Sequence, residues 1–294
     1  MYDFENYYSA TSTDDAINAL SNNPDAIVIS GGTDVLVQIR SGKLAGASLV
    51  SIHELDELRH ISIDDEGTIR IGSICTFSQI TNNDIVKNHI PILANAVDTA
   101  GGPQLRNAGT IGGNVANGVT SADSASSLMV LNARIELKGP DGIRTVPISE
   151  WYIGPGKTVR KHDEIVTAII ITKDNYEGYF GHYYKYGKRN AMEIATLGCA
   201  VLVKLQNDNT ISDIRIAYGV AAPTPIRCFE TEKQLAGMKI DDEMFNLMSQ
   251  SVLSEVNPRS SWRASKEFRL QLVSELCVRS LKQALEYAGG NSNA

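Results

Sequence analysis

The N-terminal part of the chain has the hydrophobic pattern of a small α/β unit. Residues 13–20 carry apolar side chains at helical spacing, which predicts a short amphipathic helix. Residues 26–29 and 48–52 are short, apolar and rich in β-branched side chains, as expected of buried strands. Two glycines break the first of these strands, and residues 34–40 can continue as a helix. This order of elements predicts parallel strands within residues 1–55.

The next part of the chain mixes short strands and helices. Residues 60–63 and 68–73 alternate apolar and polar side chains about an acidic turn, which predicts a hairpin. Thr76 and Pro91 are typical of helix starts. The glycine-dense residues 101–118 are interpreted as a compact loop. The remaining predicted elements are a helix at 124–130 and strands at 134–138, 143–147 and 164–171.

The C-terminal part has longer strands and a long helix. Strands are predicted at 179–188, 197–205 and 210–221, with a turn at 207–209, as in an antiparallel meander. Apolar residues recur every four positions over 261–287, and two glycines, residues 289 and 290, end that helix. We therefore predict an α+β protein with two domains, 1–177 and 178–290, the first divided into lobes of about 1–55 and 56–177.

Charge and composition exclude several classes of protein. The 294 residues are 43% hydrophobic and 21% charged, as in an ordinary globular protein. A formal net charge of −7 without a Lys/Arg-rich run argues against a nucleic-acid partner. No apolar stretch is long enough to span a bilayer and the N-terminus lacks an export signal, so no membrane is predicted and the cytoplasm is the expected compartment. The four cysteines are widely separated, so no metal or iron–sulfur site is predicted in this chain.

The first candidate binding feature is a glycine-containing turn between a strand and a helix. Residues 30–34 read Ser-Gly-Gly-Thr-Asp. Backbone N–H groups in such a turn converge into an anion-binding nest, with the helix dipole behind them. Glycine allows a phosphate to approach closely, and Thr33 adds a hydroxyl donor. The alternative is an ordinary strand-to-helix turn, because the third glycine of the dinucleotide fingerprint is missing.

The second candidate feature is the glycine-dense segment that ends at Gly112-Gly113-Asn114. A compact loop with this many glycines is expected to leave backbone amides unpaired, and an extended anionic ligand would satisfy them. Asn114 is expected to stabilise the turn by bonding its own backbone. Asp123 is a candidate acceptor for a ribose or ribityl hydroxyl, and its alternative role is that of an ordinary carboxylate at a helix start.

Other patterns for catalysis are weak. Residues 154–158 read Gly-Pro-Gly-Lys-Thr, but Trp151 stands where a nucleotide phosphate loop requires glycine. We interpret this segment as a binding turn near the ligand or an exposed bend. The five histidines have no metal-ligand spacing, and no nucleophile elbow is present. No catalytic side chain is predicted, so a bound redox cofactor is expected to carry the chemistry.

These motifs together resemble the flavin-carrying subunits of the molybdenum hydroxylases, in particular those of bacterial xanthine dehydrogenases. The residues that carry the resemblance are 30–34, 106–114, 121–123, 198–200, 219–227 and 258–269. The resemblance implies a two-lobed FAD-binding fold of the vanillyl-alcohol-oxidase-like (PCMH) type, followed by a domain like the C-terminal domain of carbon monoxide dehydrogenase flavoprotein. It implies a cofactor-binding set of Ile29, Ser30, Gly31, Gly32, Thr33, Asp34, Val35, Ala100, Thr110, Gly113, Asn114, Asp123, Ile165, Val166 and Lys185.

Within that set, the resemblance assigns Ile165 and Val166 to the flavin ring and Lys185 to a position near the isoalloxazine. It also implies that FAD receives electrons from two-iron two-sulfur clusters on a small subunit, which draws them from a molybdopterin-binding large subunit, and that NAD is the acceptor. A heterotrimer or a dimer of heterotrimers is expected. The chain departs from many relatives in lacking a proline at 115–122. The alternatives are a stand-alone flavin oxidoreductase of the same fold and a nucleotide-binding scaffold without redox activity.

Overall fold

The structure, a computed structural model, describes residues 2–206 and 209–289. The strands formed by these residues are β1 (Phe4–Ser9), β2 (Ile27–Ile29), β3 (Ala47–Ser51), β4 (Ile61–Ile63), β5 (Ile69–Gly72), β6 (Arg134–Gly139), β7 (Gly142–Pro147), β8 (Tyr152–Gly154), β9 (Lys157–Thr158), β10 (Ile165–Ile171), β11 (Phe180–Tyr186), β12 (Leu197–Leu205), β13 (Ile211–Gly219) and β14 (Ile226–Arg227). The helices are α1 (Thr13–Asn22), α2 (Val35–Arg40), α3 (Phe77–Asn82), α4 (Asp84–His89), α5 (Pro91–Asp98), α6 (Pro103–Ala108), α7 (Ile111–Ala116), α8 (Asp123–Val130), α9 (Ile148–Trp151), α10 (Phe229–Leu235), α11 (Asp242–Ser251) and α12 (Lys266–Ala288).

The first lobe contains a three-stranded parallel sheet in the order β1-β3-β2. The predicted parallel pairing is therefore confirmed. Helix α1 covers the sheet by burying Ala16, Ile17 and Leu20, and its first turn is capped by the Ser12 side chain. The edge strand β1 was not predicted, because all six of its residues are exposed and leave no apolar alternation to recognise.

The second lobe is built on a five-stranded antiparallel sheet in the order β4-β5-β10-β6-β7. Helices α3, α5 and α8 contribute to its core through buried residues such as Phe77, Leu93 and Leu128. The central strand β10 is apolar almost throughout, because neighbours cover both of its faces. The predicted hairpin of β4 and β5 and the strands β6, β7 and β10 are confirmed.

The C-terminal sheet is antiparallel, in the order β11-β12-β13-β14. Alternate residues of β12 enter two different cores: Cys199 and Val201 pack with α12, whereas Ala200 and Leu202 pack with the second lobe. The meander and the α+β class are confirmed. The predicted start of the last helix at 261 was wrong, since Ser265 caps it and α12 begins at Lys266.

Some predictions fall at the limits of the described chain. Residues 207–208 of the predicted turn and Gly290 of the predicted helix stop lie outside the described residues. The domain boundary near 177 stays a prediction, and the C-terminal sheet begins at Phe180. Among the helices described, none has the length and apolarity to cross a membrane.

Candidate functional site

A cavity of about 860 Å³ lies between the two lobes. Of the predicted site residues it is lined by Ser30, Gly31, Gly32, Thr33, Asp34, Val35, Ala100, Thr110, Gly113, Asn114, Asp123, Ile165 and Val166. Ile29 and Lys185 do not line it. Ile29 of β2 is buried in a cluster with Leu49 of β3 and Ile39 of α2. Tertiary structure thus brings two segments about 80 residues apart in the sequence to one cavity, whose size is in the range of cofactor sites.

The first turn connects β2 to α2 and keeps its backbone donors free. Gly32 has φ +68°, a conformation that favours glycine. Within the described parts of the chain, the amides of residues 31–35 have no protein acceptor. The Ser30 hydroxyl oxygen is buried and also lacks a partner among the described residues. A buried polar group is rarely left unsatisfied, so the Ser30 hydroxyl calls for a partner. The amides of residues 31–35, which are half-buried or exposed, add donors that an anionic ligand could use.

The first turn lies directly against the end of α6. A Cβ placed on Gly31 would be 1.7 Å from the carbonyl oxygen of Ala108. Only glycine permits this contact between the two lobes. The contact fixes the first turn at the wall of the cavity.

The glycine-dense segment differs from its prediction. Residues 101–118 contain two short helices, α6 and α7, instead of the predicted compact loop. The Gly112 amide donates to Ser73 O at 2.8 Å, the Gly113 amide to Thr110 Oγ1 at 3.2 Å and the Asn114 amide to Thr110 O at 2.9 Å. The expectation of unpaired amides was therefore wrong at Gly112-Gly113-Asn114. Ser73 O accepts from Gly112, the Thr110 hydroxyl caps Gly113, and the first hydrogen bond of the helix satisfies Asn114.

Asn114 and the loop that follows it also differ from expectation. The Asn114 side-chain oxygen accepts from Ser124 Oγ at 2.6 Å, so it joins α7 to α8 and does not bond its own backbone as predicted. The loop at 117–122 is held by Thr120, whose carbonyl and hydroxyl oxygens both accept from the Val220 amide at 3.1 Å. Val220 has φ +67°, which is unusual for a β-branched residue. This contact joins the loop to the C-terminal domain.

Asp123 is buried at the start of α8 and has two side-chain partners. Lys185 Nζ donates to its Oδ2 at 2.9 Å, and Tyr183 donates to its Oδ1 at 3.1 Å. Burial raises the pKa of Asp123 above its usual value, and the contacts from Lys185 and Tyr183 oppose that rise. Burial also raises the pKa of Tyr183, which keeps its hydroxyl protonated as a donor.

Sequence reasoning missed residues that also border the cavity. Arg160 is the only Lys or Arg among the described residues that line it. Its Nη1 donates to the carbonyls of Lys161, His162 and Glu164, and burial lowers its pKa. A single arginine in a polar loop carries no sequence signal that separates it from a surface residue.

The loop before β12 also borders the cavity. Met192 has φ +55° and its amide donates to Gly101 O at 3.3 Å, so this loop lies over the glycine-dense segment. Met192, Glu193 and Ile194 line the cavity, although they belong to the C-terminal domain in sequence. The site is therefore formed by both lobes and by one loop of the C-terminal domain.

The segment that resembles a phosphate loop is a hairpin. Strands β8 and β9 pair across a turn at Gly156, which has φ +68° and lines the cavity. No helix follows the lysine, so the phosphate-loop geometry is absent from this described hairpin. Gly156 is exposed and also lines the cavity, so a binding turn near the ligand and an exposed bend both stay predictions.

The residues present fit an extended dinucleotide with a diphosphate. Free amides at 31–35 and the unpartnered Ser30 hydroxyl offer donors for phosphate oxygens. Asp123 offers an acceptor for a hydroxyl group, and Ile165 and Val166 add an apolar surface. The cavity combines a few placed polar groups with apolar walls, as cofactor sites generally do.

Comparison with known proteins also indicates a dinucleotide-binding protein, and the matches extend over nearly the whole chain. Residues 2–173 match the family described as the FAD-binding domain in molybdopterin dehydrogenase, and residues 182–284 match the carbon monoxide dehydrogenase flavoprotein C-terminal domain. The chain is 43% identical over 290 residues to the xanthine dehydrogenase FAD-binding subunit of Escherichia coli, with 99% of each chain covered.

Two more distant proteins support this result. Identity to the glyceraldehyde dehydrogenase medium chain of Sulfolobus acidocaldarius is 32%, covering 94% of this chain and 97% of that protein. A crystal structure of carbon monoxide dehydrogenase from Hydrogenophaga pseudoflava matches with a TM-score of 0.92 at 27% identity, covering 97% of this chain and 98% of the other. The expected two-lobed fold and C-terminal domain are confirmed. The chain belongs to the family of FAD-binding subunits of the molybdopterin dehydrogenases, the molybdenum hydroxylases.

Proposed function

We propose that this chain is the FAD-carrying electron-transfer subunit of a xanthine dehydrogenase-like molybdenum hydroxylase, which passes electrons from iron–sulfur clusters of a partner through FAD to NAD. The observation that carries the proposal is the cavity between the lobes, where the free amides of residues 31–35 and the buried Ser30 hydroxyl have no protein partner among the described residues. The relative that is 43% identical and named a xanthine dehydrogenase subunit supports the choice of enzyme class.

The residues of this chain would hold the cofactor through a small number of polar contacts. The amides of residues 31–35, with the hydroxyls of Ser30 and Thr33, would donate to the diphosphate. Asp123 would accept from a ribose or ribityl hydroxyl. Ile165 and Val166 would pack against the flavin ring, and Ala100, Thr110, Gly113 and Asn114 would form the opposite wall.

Bound flavin supplies the chemistry of taking up electrons singly and giving them up as a hydride. The protein contributes orientation and exclusion of water. Arg160 adds a cation to the cavity. The acidic residues in the lining are Asp34, Asp123, Glu164 and Glu193. Three of these are compensated, since Asp123 pairs with Lys185, Glu164 with Arg144 and Glu193 with Arg189. The compensation reduces repulsion of an anionic ligand.

The partners we propose are a molybdopterin-binding large subunit and a small iron–sulfur subunit, in a heterotrimer or a dimer of heterotrimers. Two observations support this. The cysteines at 75, 199, 228 and 277 lack the spacing of a cluster site, so iron–sulfur clusters would belong to another chain. Relatives are named as a medium chain or as an FAD-binding subunit, which are names of parts of larger enzymes.

Flavin content and reduction by NADH test the proposal directly. We expect the purified full-length chain to carry FAD with the absorption spectrum of a bound flavin, and NADH to bleach it. Gly113→Val should abolish FAD retention, because it places a side chain in the cavity wall. Gly154→Ala is the control and should retain FAD, because only the Lys157 side chain lies near the new Cβ. A folded wild-type chain that binds no FAD would contradict the proposal. FAD that NADH does not reduce would remove NAD as the acceptor.

The proposed partners require a second experiment. We expect affinity capture of the native chain to co-purify one protein with molybdopterin and one with two-iron two-sulfur clusters, identified by metal analysis and mass spectrometry. Gly154→Ala serves as a handling control, because Gly154 is half-buried at the end of β8 and does not line the cavity. Capture of the chain alone, with FAD bound and active toward an organic substrate, would support a stand-alone flavin oxidoreductase instead.

A further inference from the structure

Strand β11 places two polar side chains behind Asp123. Tyr183 and Lys185 are two residues apart, so both point to the face of the sheet that packs on the second lobe. Lys185 Nζ donates to Asp123 Oδ2 at 2.9 Å and to Thr99 O at 3.0 Å. The Tyr183 hydroxyl donates to the other oxygen, Oδ1, at 3.1 Å. Each carboxylate oxygen therefore has one donor from β11.

A glycine on the next strand makes room for this arrangement. Gly198 of β12 pairs with Lys185. A Cβ on Gly198 would lie 2.8 Å from the Tyr183 hydroxyl oxygen and 3.3 Å from its ring. Any larger residue would therefore displace Tyr183 from Asp123. The need for glycine at 198, within one of the motifs of this family, is explained by the position of Tyr183.

Of Asp123, Tyr183 and Lys185, only Asp123 lines the cavity. The side chains of Lys185 and Asp123 are only 9% and 11% exposed. An ionised carboxylate offers about four acceptor positions, so two donors leave about two for a ligand in the cavity.

Burial and pairing act on Asp123 in opposite directions. Removal from water disfavours the charged carboxylate, and the Lys185 ammonium favours it. The ammonium itself has two protein acceptors, Asp123 and Thr99, which hold it away from the cavity. A buried charge pair with further hydrogen bonds is rigid, and removing one member leaves the other uncompensated.

We propose that Lys185 and Tyr183 are positioning residues, which hold the Asp123 carboxylate charged and oriented in the cavity wall and do not contact the cofactor. This inference rests on the proposed function, because it requires Asp123 to accept a hydroxyl of FAD. It differs from a direct role for Lys185 at the flavin ring. Under the inference, the effect of Lys185 on FAD passes through Asp123.

A double-mutant cycle on the full chain tests this inference. We expect Lys185→Met to raise the Kd for FAD roughly 10- to 100-fold in the wild-type background, because one partner of a buried pair is lost. In the Asp123→Asn background the same substitution should raise the Kd by less than about twofold, since the residue it acts on is already changed. An equal factor in both backgrounds would show that the lysine contacts FAD independently, and would overturn the inference.

The flavin midpoint potential separates a lysine that acts through Asp123 from one that lies against the flavin ring, and rescue by Lys185→Arg separates a positioning role from a merely structural one. The double variant Asp123→Asn/Lys185→Met removes a net-neutral pair, so its flavin midpoint potential should equal that of wild type. Separately, Lys185→Arg should have most of the FAD affinity that Lys185→Met loses. A potential clearly lowered in the double variant would place the lysine against the ring. Lys204→Met is the matched control, since that lysine of β12 bonds Glu177 O and does not line the cavity.

The test remains decisive if Lys185→Met fails to fold. The double variant Asp123→Asn/Lys185→Met leaves no unpaired buried charge and can still be measured. Because Tyr183→Phe keeps the ion pair between Lys185 and Asp123, a second cycle can combine Tyr183→Phe with Asp123→Asn. The Tyr183→Phe effect should likewise vanish in the Asp123→Asn background, and its persistence would contradict the inference. Absence of FAD from the wild-type chain would instead defeat the proposed function, so the two failures are distinguishable.

Discussion

The two glycine-containing segments at the cavity use their glycines in different ways. In the first turn, the amides of residues 31–35 have no protein acceptor among the described residues. In the second segment, the amides of Gly112, Gly113 and Asn114 all donate within the protein. Glycine content was higher in the second segment, yet the first has the free donors. A count of glycines therefore does not indicate where an anion binds.

The reason lies in what each glycine contacts. Gly31 allows the first turn to touch Ala108 O, and Gly32 provides a positive φ. Gly112 is packed on Ser73, where a Cβ would lie 2.6 Å from the serine Cβ. Gly113 has one neighbour within 4 Å of an added Cβ, the Thr110 Oγ1 atom at 2.9 Å. The second segment thus contains one packing glycine and one that faces the cavity.

Among substitutions to alanine in the two segments, the largest effect is expected from Gly31→Ala. The added methyl group would overlap the Ala108 carbonyl, and backbone cannot move aside as a flexible side chain can. Overpacking by about 2–3 kcal/mol at this contact would weaken FAD binding on the order of 100-fold. Titration of the apo-protein with FAD measures the Kd. Gly154→Ala is the control, and an unchanged Kd for Gly31→Ala would mean that the lobes are not in contact there.

Gly112→Ala and Gly113→Ala would sharpen the comparison within the second segment. We expect Gly112→Ala to lower the free energy of unfolding by about 1–3 kcal/mol, because it overpacks Ser73. Gly113→Ala should change stability less but reduce FAD affinity more, because its methyl group faces the cavity. Denaturant unfolding of the apo-proteins and FAD titration separate the two quantities. If both variants lost stability equally, the distinction between packing and binding glycines would be wrong.

Ser30→Ala tests the first turn without changing its backbone. The buried Ser30 hydroxyl has no partner in the described chain, so its removal should leave the apo-protein equally or slightly more stable. FAD affinity should fall by up to about tenfold, since one hydrogen bond to a charged phosphate is lost. The thermal unfolding midpoint and the Kd for FAD are the measurements. A destabilised apo-protein would show that the hydroxyl already has a partner.

The smallest effect is expected from Thr110→Val, which removes the cap on the Gly113 amide. Loss of a helix cap costs about 1 kcal/mol, or an unfolding midpoint lower by about 2–4 °C. Ser265→Ala removes the cap of α12, far from the cavity in sequence, and should cost a similar amount without an effect on FAD. A Thr110→Val protein as stable as wild type would mean that the Thr110 hydroxyl does not cap the Gly113 amide.

Local sequence signals predicted most elements because their causes are local. Thr76 and Pro91 marked helix starts through capping and a fixed φ, and the alternating ranges of β4 and β5 marked a hairpin. Helices α6 and α7 were missed. Glycine gives α7 a low helix propensity, and the amides at its start donate to Cys75 and Ser73, which are distant in sequence. Strand β1 was missed because it lies exposed at a sheet edge.

The sequence by itself determined the α+β class, the first turn and the family, because these depend on periodicity and on motifs that are local in the chain. Only the tertiary structure decided which amides stay free, that Lys185 and Tyr183 lie behind Asp123, and that Arg160 and Met192 border the cavity. The physical reason is that hydrogen-bond satisfaction and burial depend on partners distant in sequence, such as Ser73 for Gly112 and Ala108 for Gly31.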